Sequence, residues 1–522
     1  MKNKTLTFIV ITTILIGGAI LWGQSSGNKE AMSGVFSTDT AGLPEAKQNE
    51  TVELKDGDTF DLTAGFVKKN INGKEVRMLA YNDMIPGPTI KIQEGATITV
   101  NFKNDTDMAN TIHSHGVRME NAFDGVPDVT QPAVSPGDSF AYTLSFPDAG
   151  AYWYHPHMRD DYNIEMGLYG NFLVTPASGS SWNSVDREVP IFVDDILLLN
   201  GKIAPFKKDE ADHTLMGRYG NTAFINGETD YTLLVKKNEV VRFYFTNSAN
   251  VRPFNLALLG AKMKLVGGDN GLYERDIWKD EVLVNPSERA IVEVLFDTPG
   301  EYALQSKTPE RTYTLGTIIV SHEQVASETA KSFATLRAHP EVIKSIDPFR
   351  QYFDVPHQRR LALSVDTIGN TMQMMGGGMM TSNKEGLPTG QAGIEWEDDM
   401  AMMNQMSDTG LIKWKIVDQD TGKENMDIDW SFKRGAVKIR IENTSNGVHS
   451  MQHPIHFHGQ RFLVVNQNGT PQTNLAWKDT VLVPSGQTVD ILLDASNSGT
   501  WMAHCHILEH IEAGMLFSFK VQ

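Results

Sequence analysis

Apolar and polar side chains alternate in short runs along most of the chain after residue 50. A clear case is "ITVNF" at 98–102, where Ile98, Val100 and Phe102 are separated by polar residues. Such runs recur between turns rich in Gly and Pro, which is the pattern of strands with one buried face. Helical spacing of comparable strength is confined to short pieces such as 322–338. The chain is therefore predicted to be all-β.

The strand pattern occurs in three copies, and each copy consists of two halves separated by a Gly turn. The first halves span 95–116, 238–260 and 435–459, and the second halves span 136–157, 286–307 and 484–506. Three repeats of this kind are most simply explained as three β-sandwich units. The predicted domains cover residues 51–178, 179–325 and 355–522, with a linker at 326–354.

The N-terminus carries an apolar stretch from Leu6 to Trp22 that follows Lys2 and Lys4. Residues 1–26 are therefore predicted to be a signal peptide or an uncleaved membrane anchor, and the polar residues 27–50 are predicted to be a linker. No cysteine that could carry a lipid lies nearby. The body of the protein is expected to work outside the cytoplasm, in the periplasm or on an outward-facing membrane.

Composition narrows the choice of partners. The chain has 522 residues, 40% of them hydrophobic, and a formal net charge of −18. A nucleic-acid partner is not expected, because phosphate recognition requires a basic face.

Ten of the 15 histidines fall in four short clusters, which read "HSHG", "HPH", "HPIHFHG" and "HCHILEH". Residues two apart in a strand point to the same face. The pairs expected to converge are His113 with His115, His155 with His157, His456 with His458, and His504 with His506. The second copy has Gln305 and Lys307 where the first has His155 and His157. A metal cluster is therefore predicted between the first and third copies.

Cys505 is the only cysteine, and it lies between His504 and His506. It cannot form an internal disulfide, and two flanking histidines do not suit a hydrolytic nucleophile. Because its side chain points away from its neighbours, His453, His510 and Met515 can join it. Two histidines, one thiolate and a weak thioether describe a blue-copper electron-transfer centre. The peptide around Cys505 would then connect two metal centres.

The four clusters, in this order and spacing and together with "PGPTI" at 86–90, resemble those of the laccase-like multicopper oxidases. The resemblance covers nearly the whole chain after residue 50 and implies three cupredoxin-like Greek-key domains with four copper ions. It implies a type 1 copper held by His453, Cys505, His510 and Met515. It also implies a type 2 copper held by His113 and His456, and a type 3 pair held by His115, His155, His157, His458, His504 and His506.

The same resemblance implies four one-electron oxidations of a substrate, coupled to the reduction of O₂ to water. A carboxylate near the cluster can supply the protons. By similarity to bacterial members Asp124 is the candidate, although an Asp before Gly125 is equally well explained as a turn residue. Some relatives carry an acidic residue where this chain has Ile511, which argues against a relay through that position.

Residues 367–409 are rich in Gly and Met and are predicted to be an insertion in the third domain. It resembles the Met-rich insert of bacterial cuprous oxidases, and thioethers prefer Cu(I). The candidate substrate residues are Asp398, Asp399, Met400, Met402 and Met403, with further methionines at 372, 374, 375, 379, 380 and 406. Met451 also matches a Cu(I)-contacting methionine of that group, but His449 stands in place of the accompanying aspartate. The alternative interpretation of this insertion is a flexible apolar loop in which methionine side chains fill gaps.

Three functions remain open at this point. The first is a metallo-oxidase that detoxifies Cu(I), with Fe(II) as a second candidate substrate. The second is a laccase that oxidises phenols or pigments through an open type 1 pocket. The third is a copper-storage protein without activity, which the complete set of cluster ligands disfavours. The expected partners are O₂ and either Cu(I) or a small reducing substrate.

Overall fold

The structure is a computed structural model that describes residues 34–177, 182–326, 328–367, 392–443 and 451–522. The predicted leader, His449 and the methionines at 372, 374, 375, 379 and 380 lie outside these residues. Strands dominate the described part of the chain and build three sandwiches of two sheets each. The prediction of an all-β chain of three Greek-key β-sandwiches is confirmed.

The first sandwich pairs a four-stranded sheet, in the order β3-β2-β5-β7, with a five-stranded sheet, in the order β1-β4-β9-β8-β6. Its strands are β1 (Thr51–Glu53), β2 (Thr59–Ile71), β3 (Lys74–Tyr81), β4 (Thr89–Gln93), β5 (Thr97–Asn104), β6 (His113–His115), β7 (Ser139–Ser145), β8 (Gly150–His155) and β9 (Gly170–Thr175).

The second sandwich has a six-stranded sheet, β13-β10-β15-β20-β17-β18, and a five-stranded sheet, β14-β22-β21-β16-β19, with β11 and β12 as a small hairpin. Its strands are β10 (Arg187–Ile196), β11 (Leu198–Leu199), β12 (Lys202–Ile203), β13 (Thr222–Ile225), β14 (Tyr231–Lys237), β15 (Glu239–Asn247), β16 (Phe254–Leu258), β17 (Met263–Gly268), β18 (Gly271–Lys279), β19 (Val282–Val284), β20 (Arg289–Phe296), β21 (Gly300–Lys307) and β22 (Thr312–Gln324).

The third sandwich repeats this plan, with a six-stranded sheet, β24-β23-β26-β31-β28-β29, and a five-stranded sheet, β25-β33-β32-β27-β30. Its strands are β23 (Arg359–Thr367), β24 (Ile412–Asp418), β25 (Trp430–Phe432), β26 (Gly435–Asn443), β27 (His453–Phe457), β28 (Arg461–Gln467), β29 (Thr470–Pro471), β30 (Thr480–Val483), β31 (Thr488–Ala495), β32 (Gly499–Cys505) and β33 (Leu516–Val521).

Burial along the strands explains why the sequence pattern differs between them. In β5, Ile98, Val100 and Phe102 are buried while the residues between them are not, as the alternation predicts. Every residue of β15 is buried, because both faces of this strand are covered. A strand buried on both faces shows a continuous run rather than an alternation.

Short helices connect the sheets, and in the described part of the chain the longest α-helix has seven residues. They are α1 (Asp160–Asn163), α2 (Thr329–Phe333), α3 (Pro340–Ile346), α4 (Ala401–Gln405) and α5 (Leu508–Glu512). Within the described ranges, no helix is long and apolar enough to cross a membrane. The described part of the predicted linker 27–50 lies against the first sandwich, where Phe36 stacks on Tyr162 with ring centroids 3.7 Å apart.

One antiparallel strand pair recurs at the same place in each sandwich. It is β6 with β8 in the first, β16 with β21 in the second and β27 with β32 in the third. In the first pair His113 lies opposite His155, and in the third pair His456 lies opposite His504. In the second pair Ala257 lies opposite Gln305. The repeat therefore places ligand-type side chains on the first and third sandwiches and leaves the second without them.

Candidate metal centres

Eight buried histidine side chains from the first and third sandwiches meet in one cluster. The closest rings are those of His115 and His456, whose centroids are 3.7 Å apart, and those of His113 and His458, 3.9 Å apart. Nε2 of His458 lies 2.9 Å from Nε2 of His504. The members are His113, His115, His155, His157, His456, His458, His504 and His506. The convergence that strand parity predicted is therefore present.

Backbone carbonyls determine the tautomer of four of these rings. Nδ1–H donates to the carbonyl oxygen of Asp124 in His113, of Pro156 in His155, of Asp479 in His456 and of Cys505 in His504. A carbonyl oxygen can only accept, so the proton must be on Nδ1 and the lone pair on Nε2. These rings therefore present Nε2 as a donor atom for a metal.

His115 is oriented the other way round. Its Nε2 lies 3.0 Å from Oδ1 of Asp479 and 3.0 Å from the hydroxyl of Thr480. Its Nδ1 faces Nε2 of His155 at 3.4 Å. A proton on Nε2 that is donated to the Asp479 carboxylate leaves Nδ1 as the metal donor in this ring.

The cluster fits a group of metal ions on two counts. Nε2 of His113, His157, His456 and His506 is buried and has no hydrogen-bond partner within the described part of the chain. An unpartnered nitrogen in a dry site is costly unless a ligand satisfies it. Burial lowers the pKa of six of the rings well below the usual value, and the neighbouring rings lower it further; they are His115, His155, His157, His456, His458 and His506.

Neutral imidazoles are what copper requires, since a protonated ring has no lone pair to donate. The ring of His504 follows the same trend, because burial lowers its pKa to about 4. Seven of the eight rings are thus neutral nitrogen donors at neutral pH.

Asp124 lies inside this cluster and is fully buried. Its Oδ2 accepts a hydrogen bond of 2.9 Å from Nδ1 of His458, and its Oδ1 lies 3.3 Å from Nδ1 of His113. Oδ1 has no hydrogen-bond partner in the residues described. Asp124 therefore contacts one histidine of the first sandwich and one of the third.

The thiol site lies within the third sandwich alone. Sγ of Cys505 is 3.5 Å from Nδ1 of His453 and 3.8 Å from Nδ1 of His510, and these two nitrogens are 3.3 Å apart. Met515 is fully buried in the same apolar cluster as Cys505, and its backbone N–H donates to the carbonyl of His510. Burial raises the pKa of the Cys505 thiol, so the thiolate requires a bound cation.

Trp414 covers the two histidines of the thiol site. Its ring stacks on His510 with centroids 4.1 Å apart and meets His453 edge-on at 4.8 Å. Its Nε1–H donates to the carbonyl of Thr214, which belongs to the second sandwich. The exposed fractions are 1% for His453 and 0% for His510. Neither Trp414 nor Asp479 was found from the sequence, because neither lies in a ligand motif.

The candidate substrate residues surround α4. Both carboxylate oxygens of Asp398 are hydrogen-bonded at this helix: Oδ1 accepts from the N–H of Met400 and Oδ2 from Nδ2 of Asn404. Met402 and Met406 are exposed, whereas Met400 and Met403 are half-buried and pack against the core of the third sandwich. Met451 is fully buried in that core. Asp398 and Asp399 line an open cavity of about 550 Å³ beside the helix.

Helix α4 is attached to the loop 213–217 of the second sandwich. The amide of Asn404 donates to the carbonyl of Gly217 and accepts from the N–H of Met216, and Ser407 accepts from the N–H of Leu215. This loop also carries Thr214, the partner of Trp414. The methionine-bearing helix and the cover of the thiol site are therefore one packed unit.

The chain resembles known copper proteins in sequence and in structure. Two family models described as multicopper oxidase match residues 65–179 and 397–522. Copper resistance protein A of Escherichia coli is 23% identical over 581 residues, covering 89% of this chain and 93% of that protein.

Two solved structures share the fold. A multicopper oxidase from Campylobacter jejuni, described as a metallo-oxidase, aligns with a TM-score of 0.67 and 24% identity, covering 93% of this chain and 99% of that one. A laccase-like multicopper oxidase from Ochrobactrum sp. aligns with a TM-score of 0.69 and 19% identity, covering 92% and 100%.

Three cupredoxin-like sandwiches with a buried histidine cluster and a cysteine–histidine site define a copper-dependent oxidoreductase. The family matches fall on the two sandwiches that carry these residues. The chain belongs to the multicopper oxidase family.

Proposed function

We propose that this protein is a metallo-oxidase that oxidises Cu(I) and serves copper tolerance. Its electron acceptor would be O₂, as in the family to which it belongs. The names of relatives point the same way, since one is a copper resistance protein and another a metallo-oxidase.

The proposed copper content is four ions. The thiol site would hold one ion through His453, Cys505 and His510, with the thioether of Met515 as a weaker ligand. The cluster would hold one ion between His113 and His456, and two between the other six histidines. When bound, these ions would supply one-electron oxidation at the thiol site and the reduction of O₂ to water at the cluster.

The remaining groups of the chain would position these ligands and handle protons. Asp124 contacts rings from both sandwiches and is the proposed proton donor. The carbonyls that hold Nδ1–H would keep Nε2 aimed at the metal in the cluster. Burial of the cluster would exclude bulk water from the reacting oxygen.

The closed cover of the thiol site is the observation that favours Cu(I) over a phenol. A laccase needs space beside these histidines for an aromatic ring, but Trp414 stacks on the face of His510 and both histidines are buried. A small cation needs only soft donors at the surface, and two exposed thioethers lie four residues apart, Met402 on α4 and Met406 at its C-terminal cap.

The test is a pair of steady-state assays, one with Cu(I) and one with a bulky phenol. Replacing Met402 and Met406 together by leucine keeps the volume and removes both thioethers. We expect Cu(I) oxidation to fall several-fold and phenol oxidation to stay unchanged.

The matched control is Met426→Leu, which alters an exposed methionine that is not on α4. It should leave both rates as they are. Equal rates in the double variant and the control would exclude α4 as the place where Cu(I) is captured. A parent enzyme that oxidises the phenol much faster than Cu(I) would favour the laccase assignment.

We also propose that the chain is exported through residues 1–26 and divides at the boundaries given by the repeat. Fractionation of cells should place the copper-loaded protein in the periplasm or on an outward-facing membrane. Recovery of the full-length, loaded protein in the cytoplasm would contradict the export.

A further inference from the structure

Arg289 is a buried cation of the second sandwich, the one that carries no histidine in the cluster. It is the first residue of β20, and its side chain is fully buried. A buried guanidinium is expensive to desolvate and is retained where its donors are matched by acceptors. The position of this residue therefore calls for an explanation beyond the core of its own sandwich.

The guanidinium of Arg289 joins all three sandwiches. Its Nε donates to the carbonyl of Ala151 in the first sandwich at 2.8 Å, and its Nη1 donates to the carbonyl of Ser287 in its own at 2.9 Å. Nη1 also donates to Oδ1 of Asp479 in the third sandwich at 2.8 Å, and Nη2 donates to Oδ2 of the same carboxylate. Both oxygens of Asp479 are thus held by one two-pronged contact.

Asp479 in turn reaches the histidine cluster. Its Oδ1 is 3.0 Å from Nε2 of His115 and accepts from the hydroxyl of Thr480, and its backbone carbonyl accepts from Nδ1 of His456. The Asp479 carboxylate packs closely against the backbone of Gly116, because a Cβ on that residue would lie 2.1 Å from Oδ2 of Asp479. A glycine at this position lets the carboxylate come up beside the histidine strand.

We propose that Arg289 is a positioning residue for the histidine cluster, acting through Asp479 to determine which nitrogen of His115 faces the metal. Because Arg289 occupies both oxygens, the carboxylate accepts from Nε2–H of His115 without turning toward the cluster. Nδ1 is then left as the donor atom. This inference rests on the proposed copper content of the cluster.

Without Arg289, Asp479 could itself become a metal ligand. Donor atoms of His115, His456 and Asp479 lie within 4.8 Å of one another and could hold an ion by themselves. A carboxylate released from Arg289 could rotate and become a ligand, which would change the charge and geometry of that copper. The second sandwich therefore contributes to the cluster without supplying a ligand.

The test compares Arg289→Lys with Arg242→Lys in the full-length, copper-loaded protein. Lysine keeps the charge but cannot bridge both oxygens of Asp479. Arg242 is also buried in the second sandwich, where it pairs with Glu293 on the neighbouring strand, and it serves as the matched control. Copper content, visible and near-ultraviolet absorption, electron paramagnetic resonance, kcat and KM are measured on each.

We expect Arg289→Lys to keep the blue absorption of the thiol site. In the cluster, it should lose either the spectroscopic signature of the coupled copper pair or one or more of the bound ions. Its kcat should fall by about 10–100-fold with little change in KM, the range typical of residues that orient metal ligands. Arg242→Lys should show neither change, even if both variants lose similar thermal stability.

An intact coupled-pair signature in Arg289→Lys, or the same loss in Arg242→Lys, would overturn the inference. If Arg289→Lys does not fold, Asp479→Asn provides the second test, because an amide in that position cannot accept from both Arg289 and His115 as the carboxylate does. The same spectroscopic loss supports the inference and an unchanged spectrum refutes it. A parent protein without copper in the cluster would refute the proposed function itself.

Discussion

The two candidate metal centres differ in how the fold assembles them. The thiol site takes His453, Cys505 and His510 from one sandwich, within 58 residues of the chain. The histidine cluster takes ligands from two sandwiches, and residues more than 300 apart touch in it, such as Asp124 and His458. A site within one domain depends on local strand geometry, whereas a site between domains depends on how the domains are held together. The following changes test this difference.

The largest expected effect comes from Cys505→Ser. The thiolate is the ligand that gives a type 1 copper its strong visible absorption, so the blue colour and nearly all turnover should be lost. The cluster ligands are untouched and should still bind copper. Absorption, metal content and turnover check this, and a blue or active Cys505→Ser protein would contradict the assignment.

Asp124→Asn should act on the cluster and leave the thiol site alone. The amide keeps the volume but can no longer serve as a proton donor, and it weakens the hold on Nδ1 of His458. We expect turnover to fall by about 10–100-fold with the blue absorption unchanged. Loss of the blue absorption in this variant would mean that the two centres are not as separate as their geometry suggests.

Trp414→Ala should act on the thiol site and leave the cluster alone. Removing the ring that stacks on His510 opens space for an aromatic substrate, so phenol oxidation should rise several-fold while copper content stays the same. The cavity should cost about 3–5 kcal/mol of stability.

The control for this change is Trp430→Ala, which removes another buried tryptophan of the same core, one whose ring packs against Phe432 and Phe517. It should be destabilised to a similar degree without any gain in phenol oxidation. A similar gain in both variants would show that loosening the core, and not opening the histidine edge, admits the phenol.

The smallest expected effect is the acid sensitivity of the copper-free cluster. Burial holds the pKa of His506 well below its unfolded value of about 6.5, so the unfolded chain binds the proton first as the pH falls. The free energy of unfolding therefore falls by up to about 1.4 kcal/mol per pH unit for this residue, as the pH drops from about 6.5 toward the lower pKa of the folded state. Calorimetry of the copper-free parent and of copper-free His506→Gln should show a steeper loss of stability on acidification in the parent. Equal slopes would refute this prediction.

The sequence alone was sufficient for the fold class and for the positions of the candidate ligands. Strand parity paired His113 with His115 and His504 with His506, and it separated Cys505 from its neighbours, because side chains alternate between the faces of a strand. The repeat also showed that the second copy carries Gln305 and Lys307 where histidines stand in the first. These are local properties, and a local pattern can carry them.

Only the tertiary structure decided what surrounds the ligands. Trp414 on β24 contacts His510 on α5, and Arg289 and Asp479 meet across two sandwiches, at a separation of 190 residues. Trp414 follows the alternation of its strand like any other core residue, and none of the three belongs to a ligand motif, so the local sequence does not reveal their contacts with the two centres. Their roles come from packing between distant segments, which depends on the whole fold and not on the local alternation of side chains.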